Sequence, residues 1–158
     1  MKLLLLLSII IVSIGLLIRA LRRRSPATHH VASSEIPEIL AQLQVSAREG
    51  NASVLTLPSG GEGVQLQFSI DHGVVGLDWV LVGHRNLSDK SRIAEMATAL
   101  GYHVEECEQN QVRQLRITGQ GIAELGTAII RDFYGIHPAA RIPMVTVGFR
   151  WDPEAHWN

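Results

Sequence analysis

The stretch Val64–Val82, VQLQFSIDHGVVGLDWVLV, decides how this chain folds. Val64, Leu66, Phe68 and Ile70 alternate with Gln65, Gln67, Ser69 and Asp71, the period-2 pattern of a strand with one apolar and one polar face. His72–Gly73 then reads as a two-residue hairpin turn, since glycine takes positive φ freely and histidine tolerates it better than most residues. That turn pairs Ile70 with Val75, Phe68 with Leu77, Leu66 with Trp79 and Val64 with Leu81, so every facing pair on one side is apolar. The same register puts Gln67 opposite Asp78 and Ser69 opposite Gly76 on the other side. A slip of one residue inverts both faces. Val80 and Val82 make the end of the second strand apolar on both faces, which predicts a central strand covered from both sides.

Downstream, the period changes. A helix is expected from Ser88, a good cap, through Ile93, Met96, Ala97 and Leu100 to Gly101. Strands follow at His103–Glu108 and Val112–Thr118, then a helix over Gly121–Tyr134 with Ile122, Leu125, Ile129 and Phe133 at helical spacing. A last strand, Pro143–Trp151, is read with Val145, Val147, Phe149 and Trp151 on its inner face. Upstream, a helix near Glu35–Glu49 capped by Ser34 carries Ile36, Ile39, Leu40, Leu43 and Ala47 on one face, and Ser53–Leu57 reads as a strand before the turn-rich Pro58–Gly63.

From Gly76 the order is strand, helix, strand, strand, helix, strand, the split βαβ arrangement of ferredoxin-like domains. In that arrangement the first strand lies between the third and the fourth, yet the hairpin claims a place beside it. The hairpin register accounts for eight residues at once, so the last strand is the one expected to be displaced. The fold class is α+β, with helices packed on an antiparallel or mixed sheet and an extra N-terminal helix and hairpin.

At the other end of the chain, residues 3–18 form an apolar run closed by Arg19, Arg22, Arg23 and Arg24. A bilayer core of about 30 Å needs roughly 20 helical residues, which Leu3–Leu21 supplies if Lys2 and Arg19 reach back to the interfaces. A cleaved secretory signal needs a small-residue cleavage site, and the sequence there is RALRRR. The expected organisation is an anchor with an arginine collar over residues 1–24, a linker over 25–34 and one globular domain over 35–158. The collar outweighs Lys2, which places the domain on the cytoplasmic side of a bacterial-type inner membrane, single-pass. The lone cysteine, Cys107, is compatible with a reducing compartment.

Five of the 14 basic residues belong to the anchor region, which leaves nine against 15 acidic residues, a formal charge of −6 on the domain. That balance disfavours a nucleic-acid binder tracking phosphates. No CxxC, HxH, HExxH or phosphate-loop pattern occurs, so neither metal nor cofactor is expected. His103, Glu105 and Cys107 share one strand face, but His103 and Cys107 stand about 13 Å apart, too far for the imidazole to activate the thiol. No catalytic constellation is found.

Two binding candidates remain. Gln65, Gln67 and Asp78 form a polar sheet face able to recognise a protein. His84, Arg85 and Asn86 lie where a central strand hands over to a helix, a place where α/β sheets hold small anions. The sequence therefore reads as a membrane-tethered, non-enzymatic interaction module held in the lipid bilayer through Leu3–Leu21, with a small-ligand or anion sensor near His84–Asn86 as the alternative.

Overall fold

The computed structural model describes residues 28–46, 48–58, 63–109 and 111–154. The apolar run at Leu3–Ile18, its arginine collar and Trp157 lie outside the described residues. Among the described residues no helix is long and apolar enough to cross a membrane.

Seven strands form one antiparallel sheet: β1 (Thr28–Val31), β2 (Ala52–Leu57), β3 (Val64–Asp71), β4 (Val74–Val80), β5 (His103–Gln109), β6 (Val112–Thr118) and β7 (Ile142–Val147). Their spatial order is β1-β7-β2-β3-β4-β6-β5. Three helices pack on it: α1 (Ile36–Ser46), α2 (His84–Ala99) and α3 (Ile122–Ala128), the last widening into a π-turn at Ile129–Phe133. The α+β class is as read from the sequence.

The hairpin carries the sheet. Phe68 pairs with Leu77, Ile70 with Val75 and Gln67 with Asp78, the register deduced from alternation. His72 and Gly73 both take positive φ, 51° and 74°, the mirror-image turn whose twist matches that of antiparallel strands. Glu49 holds the tip, accepting hydrogen bonds from the backbone N–H of His72 (3.0 Å) and Gly73 (2.9 Å).

The conflict over the last strand resolves in favour of the hairpin. β6 lies between β4 and β5, as a split βαβ unit requires, but β2 and β3 separate β7 from β4. Inserting two strands leaves β7 running in the direction it would have had beside β4, so α3 makes the same crossover over a longer distance.

Several boundaries and faces differ from the sequence reading. Part of the stretch read as linker is sheet: Thr28–Val31 pairs with β7, and a 3₁₀ turn at Ser33–Glu35 leads into α1. Ser34 does not cap that helix; Glu35 reaches back to accept from the Ala32 N–H at 2.6 Å. α2 begins at His84 rather than Ser88, because Gly83 at φ 84° turns the chain there and the Ser88 hydroxyl instead donates to the Arg85 carbonyl within the first turn. β7 stops at Val147, where Gly148 takes φ 79°. Its inner residues are Ile142, Met144 and Thr146, not Val145 and Val147. Val82 lies past the end of β4 and is exposed.

One core holds the layers together. Leu55, Leu57, Val64, Leu66, Phe68, Ile70, Leu77, Trp79, Leu115, Ile117, Ile142 and Met144 share one sheet face and pack with Ile36, Ile39, Leu40 and Leu43 of α1, Ile93 and Ala97 of α2, and Ile122, Leu125 and Ile129 of α3. Trp151 joins this core past the end of β7. Its segment is held by paired hydrogen bonds: Gln42 Nε2 donates to the Asp152 carbonyl (2.6 Å) and the Asp152 N–H donates to Gln42 Oε1 (2.9 Å).

Candidate functional site

Side chains alternate across a strand, so the residues out of phase with the core line the opposite face of the sheet. The core cluster draws on one face only, leaving that second face free of described helices. One row crosses all seven strands on it: Thr28, Val145, Val54, Gln67, Asp78, Arg116 and Glu105, each registered against the next. Beside it, Val147 registers with Ala52 and Ala52 with Ser69. The face therefore divides into an apolar half on β7 and β2 and a polar half from β3 to β5.

The centre of the polar half is sealed. Asp78 is fully buried and Arg116 is 4% exposed. Asp78 accepts from Arg116 Nη1 at 2.8 Å, from Gln67 Nε2 at 3.2 Å and from the Ser69 hydroxyl. Arg116 Nη1 also donates to Ser69 Oγ (2.8 Å), and its Nη2 donates to the Val74 carbonyl (2.8 Å). Gly76 makes this possible, since a Cβ there would stand 2.6 Å from Arg116 Cζ; the guanidinium lies flat where a side chain would be. A buried carboxylate needs a partner and hydrogen bonds, and Asp78 has both. It presents no oxygen to solvent, so this part of the face is framework.

Around that centre lie two shallow clefts. One, of about 240 Å³, is bordered by Asp71, Glu105, Cys107, Glu108 and Gln114, with Arg116 in its wall. The other, of about 320 Å³, is bordered by Asp71, His72, Val74, Glu105 and Thr118. Both carry acidic rims. Burial pushes the Cys107 thiol above its ordinary range, which favours the thiol over the nucleophilic thiolate near neutral pH. On the helix-side of the same strand, Glu106 is paired with Lys90 (2.5 Å) and Arg113, and these hydrogen bonds hold its carboxyl below the usual range. The apolar half offers Val147, 48% exposed, with half-exposed Val54 and Val145; Val74 is exposed on the polar half.

Of the residues singled out from the sequence, Gln65, Gln67 and Asp78 do share the helix-free face. His84, Arg85 and Asn86 form the first turn of α2, and two of them are engaged. Asn86 binds the backbone of Gln65 from both sides: Nδ2 donates to its carbonyl (2.9 Å) and Oδ1 accepts from its N–H (3.2 Å). The Trp79 indole donates to the Asn86 carbonyl at 2.8 Å, tying α2 to β4. Arg85 pairs with Asp89 at 3.2 Å. His84 is exposed.

Asp89 is buried and also accepts from the Tyr134 hydroxyl at 2.9 Å, while the Tyr134 ring stacks near Trp79 at 6.4 Å. Burial, then the hydrogen bond to Asp89, push the Tyr134 phenol well above its ordinary value of 10.0. A pKa raised on folding stabilises the domain fully below the unfolded value and ceases to do so as pH rises through the folded one. Thermal stability is therefore expected to fall above about pH 10 through Tyr134, and Tyr134→Phe should flatten that part of the profile. A Tyr134→Phe profile that still falls as steeply would show that other groups control it.

Arg116 is the residue that sequence reasoning missed. The available signal was the alternation of Gln114 and Arg116 with Leu115 and Ile117, which gives β6 a polar face holding an arginine. No group of three or more His, Cys, Asp or Glu side chains among the described residues could hold a metal ion. A separate groove of about 570 Å³ runs between α2 and α3, lined by Met96, Leu100, Tyr102, Leu125 and Ala128. The charged pair at its rim, Arg131 and Asp132, is mutually satisfied at 2.6 Å. No family model, curated protein or solved structure matches this chain.

Proposed function

We propose that this chain is a membrane-tethered, non-enzymatic interaction module: Leu3–Leu21 hold it in the bilayer, and the acidic domain on the cytoplasmic side docks a protein partner on the helix-free face of its sheet. The observation that carries the reading is the one-sided packing of the three described helices on a seven-stranded sheet. The other face keeps solvent-reachable valines at one end and acid-rimmed clefts at the other. A fitting partner sets apolar side chains against Val54, Val145 and Val147 and basic groups against Asp71, Glu105 and Glu108. The anchor itself rests on the apolar run and its arginine collar. The anion-sensor alternative has less behind it, because the Asn86 amide and the Arg85 guanidinium already serve α2.

The test combines Val147→Asp with Glu105→Lys in the full-length protein. Both positions are exposed, so unfolding should move by no more than about 0.5 kcal/mol. Complexes recovered from membranes with the parent chain are expected to disappear for this variant and to persist for Glu95→Lys on the exposed side of α2. Equal recovery from all three would remove the helix-free face as the docking surface.

A further inference from the structure

Thr28 opens the edge strand β1, and only residues 25–27 separate it from Arg24, the last arginine of the collar. Four residue steps span about 14 Å even when fully extended. If the collar lies among lipid headgroups, β1 cannot leave them far behind. The strand is firmly part of the domain: it pairs with β7 along its whole length, and Arg141 Nη1 binds both the His30 carbonyl (3.2 Å) and Glu35 Oε2 (2.7 Å).

Strand order then fixes what lies away from the membrane. Thr28 and Glu105 stand at opposite ends of one row, six strand spacings or about 29 Å apart. The charges follow the same axis. β1 carries two histidines and no acid, whereas β5 carries Glu105, Glu106 and Glu108, all exposed. An anionic headgroup surface repels the second edge and not the first.

We propose that the domain stands on the lipid headgroups with its β1 edge, its β5 edge pointing away, so that the helix-free face is presented sideways to a neighbouring membrane-bound protein. This rests on the tethered reading above and adds the orientation of the domain and the location of the partner. A partner reaching the valine half of the face must then have its contact surface close to the bilayer, whereas only a taller one reaches the clefts at β5.

The test uses the full-length chain with Cys107→Ser, carrying either Thr28→Cys or Glu105→Cys with a fluorophore, in vesicles of phosphatidylethanolamine and phosphatidylglycerol that hold a contact-range quencher on their headgroups. Flotation with the vesicles, loss of fluorescence at position 28 and no loss at position 105 is the expected result. His30→Cys and Glu108→Cys are the replacements if either first variant misfolds. Flotation with both positions quenched alike, or neither, overturns the standing orientation while leaving the tether intact. Failure to float overturns the tether, and the orientation with it.

Discussion

Replacing Asp78 with alanine, or Arg116 with methionine, is expected to lower the unfolding free energy by about 3–5 kcal/mol, and removing both charges together, as Asp78→Leu with Arg116→Met, should recover most of that loss. Either single change leaves a charge or its donors buried without a partner, in a place with almost no water to take over. The double change leaves nothing charged to solvate, and similar buried pairs often tolerate apolar replacement. A single loss of 3 kcal/mol corresponds to a fall in melting temperature of roughly 10 °C for a domain of this size. Chemical and thermal denaturation of the four proteins makes a double-mutant cycle. Single losses below about 1 kcal/mol would mean that the pair is solvated as a surface bridge is. Because Asp78 holds the sheet together, its substitution also cannot serve as a clean probe of binding, which is why Val147 and Glu105 are the positions to alter.

Gly126→Ala should destabilise the domain by about 1–3 kcal/mol, although alanine is the better helix former by about 1 kcal/mol. The reversed sign comes from Phe68. This fully buried ring stands with its Cζ where a Gly126 Cβ would be, so α3 lies directly on the ring and any added methyl must push helix and sheet apart. Pairing Gly126→Ala with Phe68→Leu vacates that space, so the double change should cost less than the sum of the two single changes. If Gly126→Ala alone raises the melting temperature, helix propensity outweighs the contact and the core there has room to move.

The hairpin was legible because its two faces differ sharply in polarity and a two-residue turn leaves one register. The inner face of β7 is ambiguous for the opposite reason. In Ile142–Val147 both parities are apolar apart from Thr146, so alternation could not choose the inner face. Thr28–Val31 has no periodicity, and its strand comes from pairing with a segment more than 100 residues away. α2 starts just after Gly83, but its first turn is also held by Asn86 fastening to the backbone of Gln65, a contact across 21 positions that local capping signals do not reveal. Half of the candidate site was visible in the same way. Gln67, Ser69 and Asp78 followed from the hairpin, but Arg116 lies 38 positions beyond Asp78 and joins it only because β6 pairs with β4. The displacement of β7 was foreseeable, since an eight-residue register outweighed a topology shared by many sheets. Trp151 lies against the core as its apolar bulk predicts, but β7 ends four residues before it.

The most direct measurement is site-specific photo-crosslinking in native membranes, with the probe placed in turn at Val147, Glu105 and Glu95 of the full-length chain. The expected result is a discrete protein adduct from Val147 or Glu105, on the helix-free face, abolished by the Val147→Asp and Glu105→Lys change at the unprobed position, and no adduct from Glu95 on α2. Adducts from Glu95 alone, or none from any position while the chain remains in the membrane, would contradict a domain that works through its uncovered sheet face.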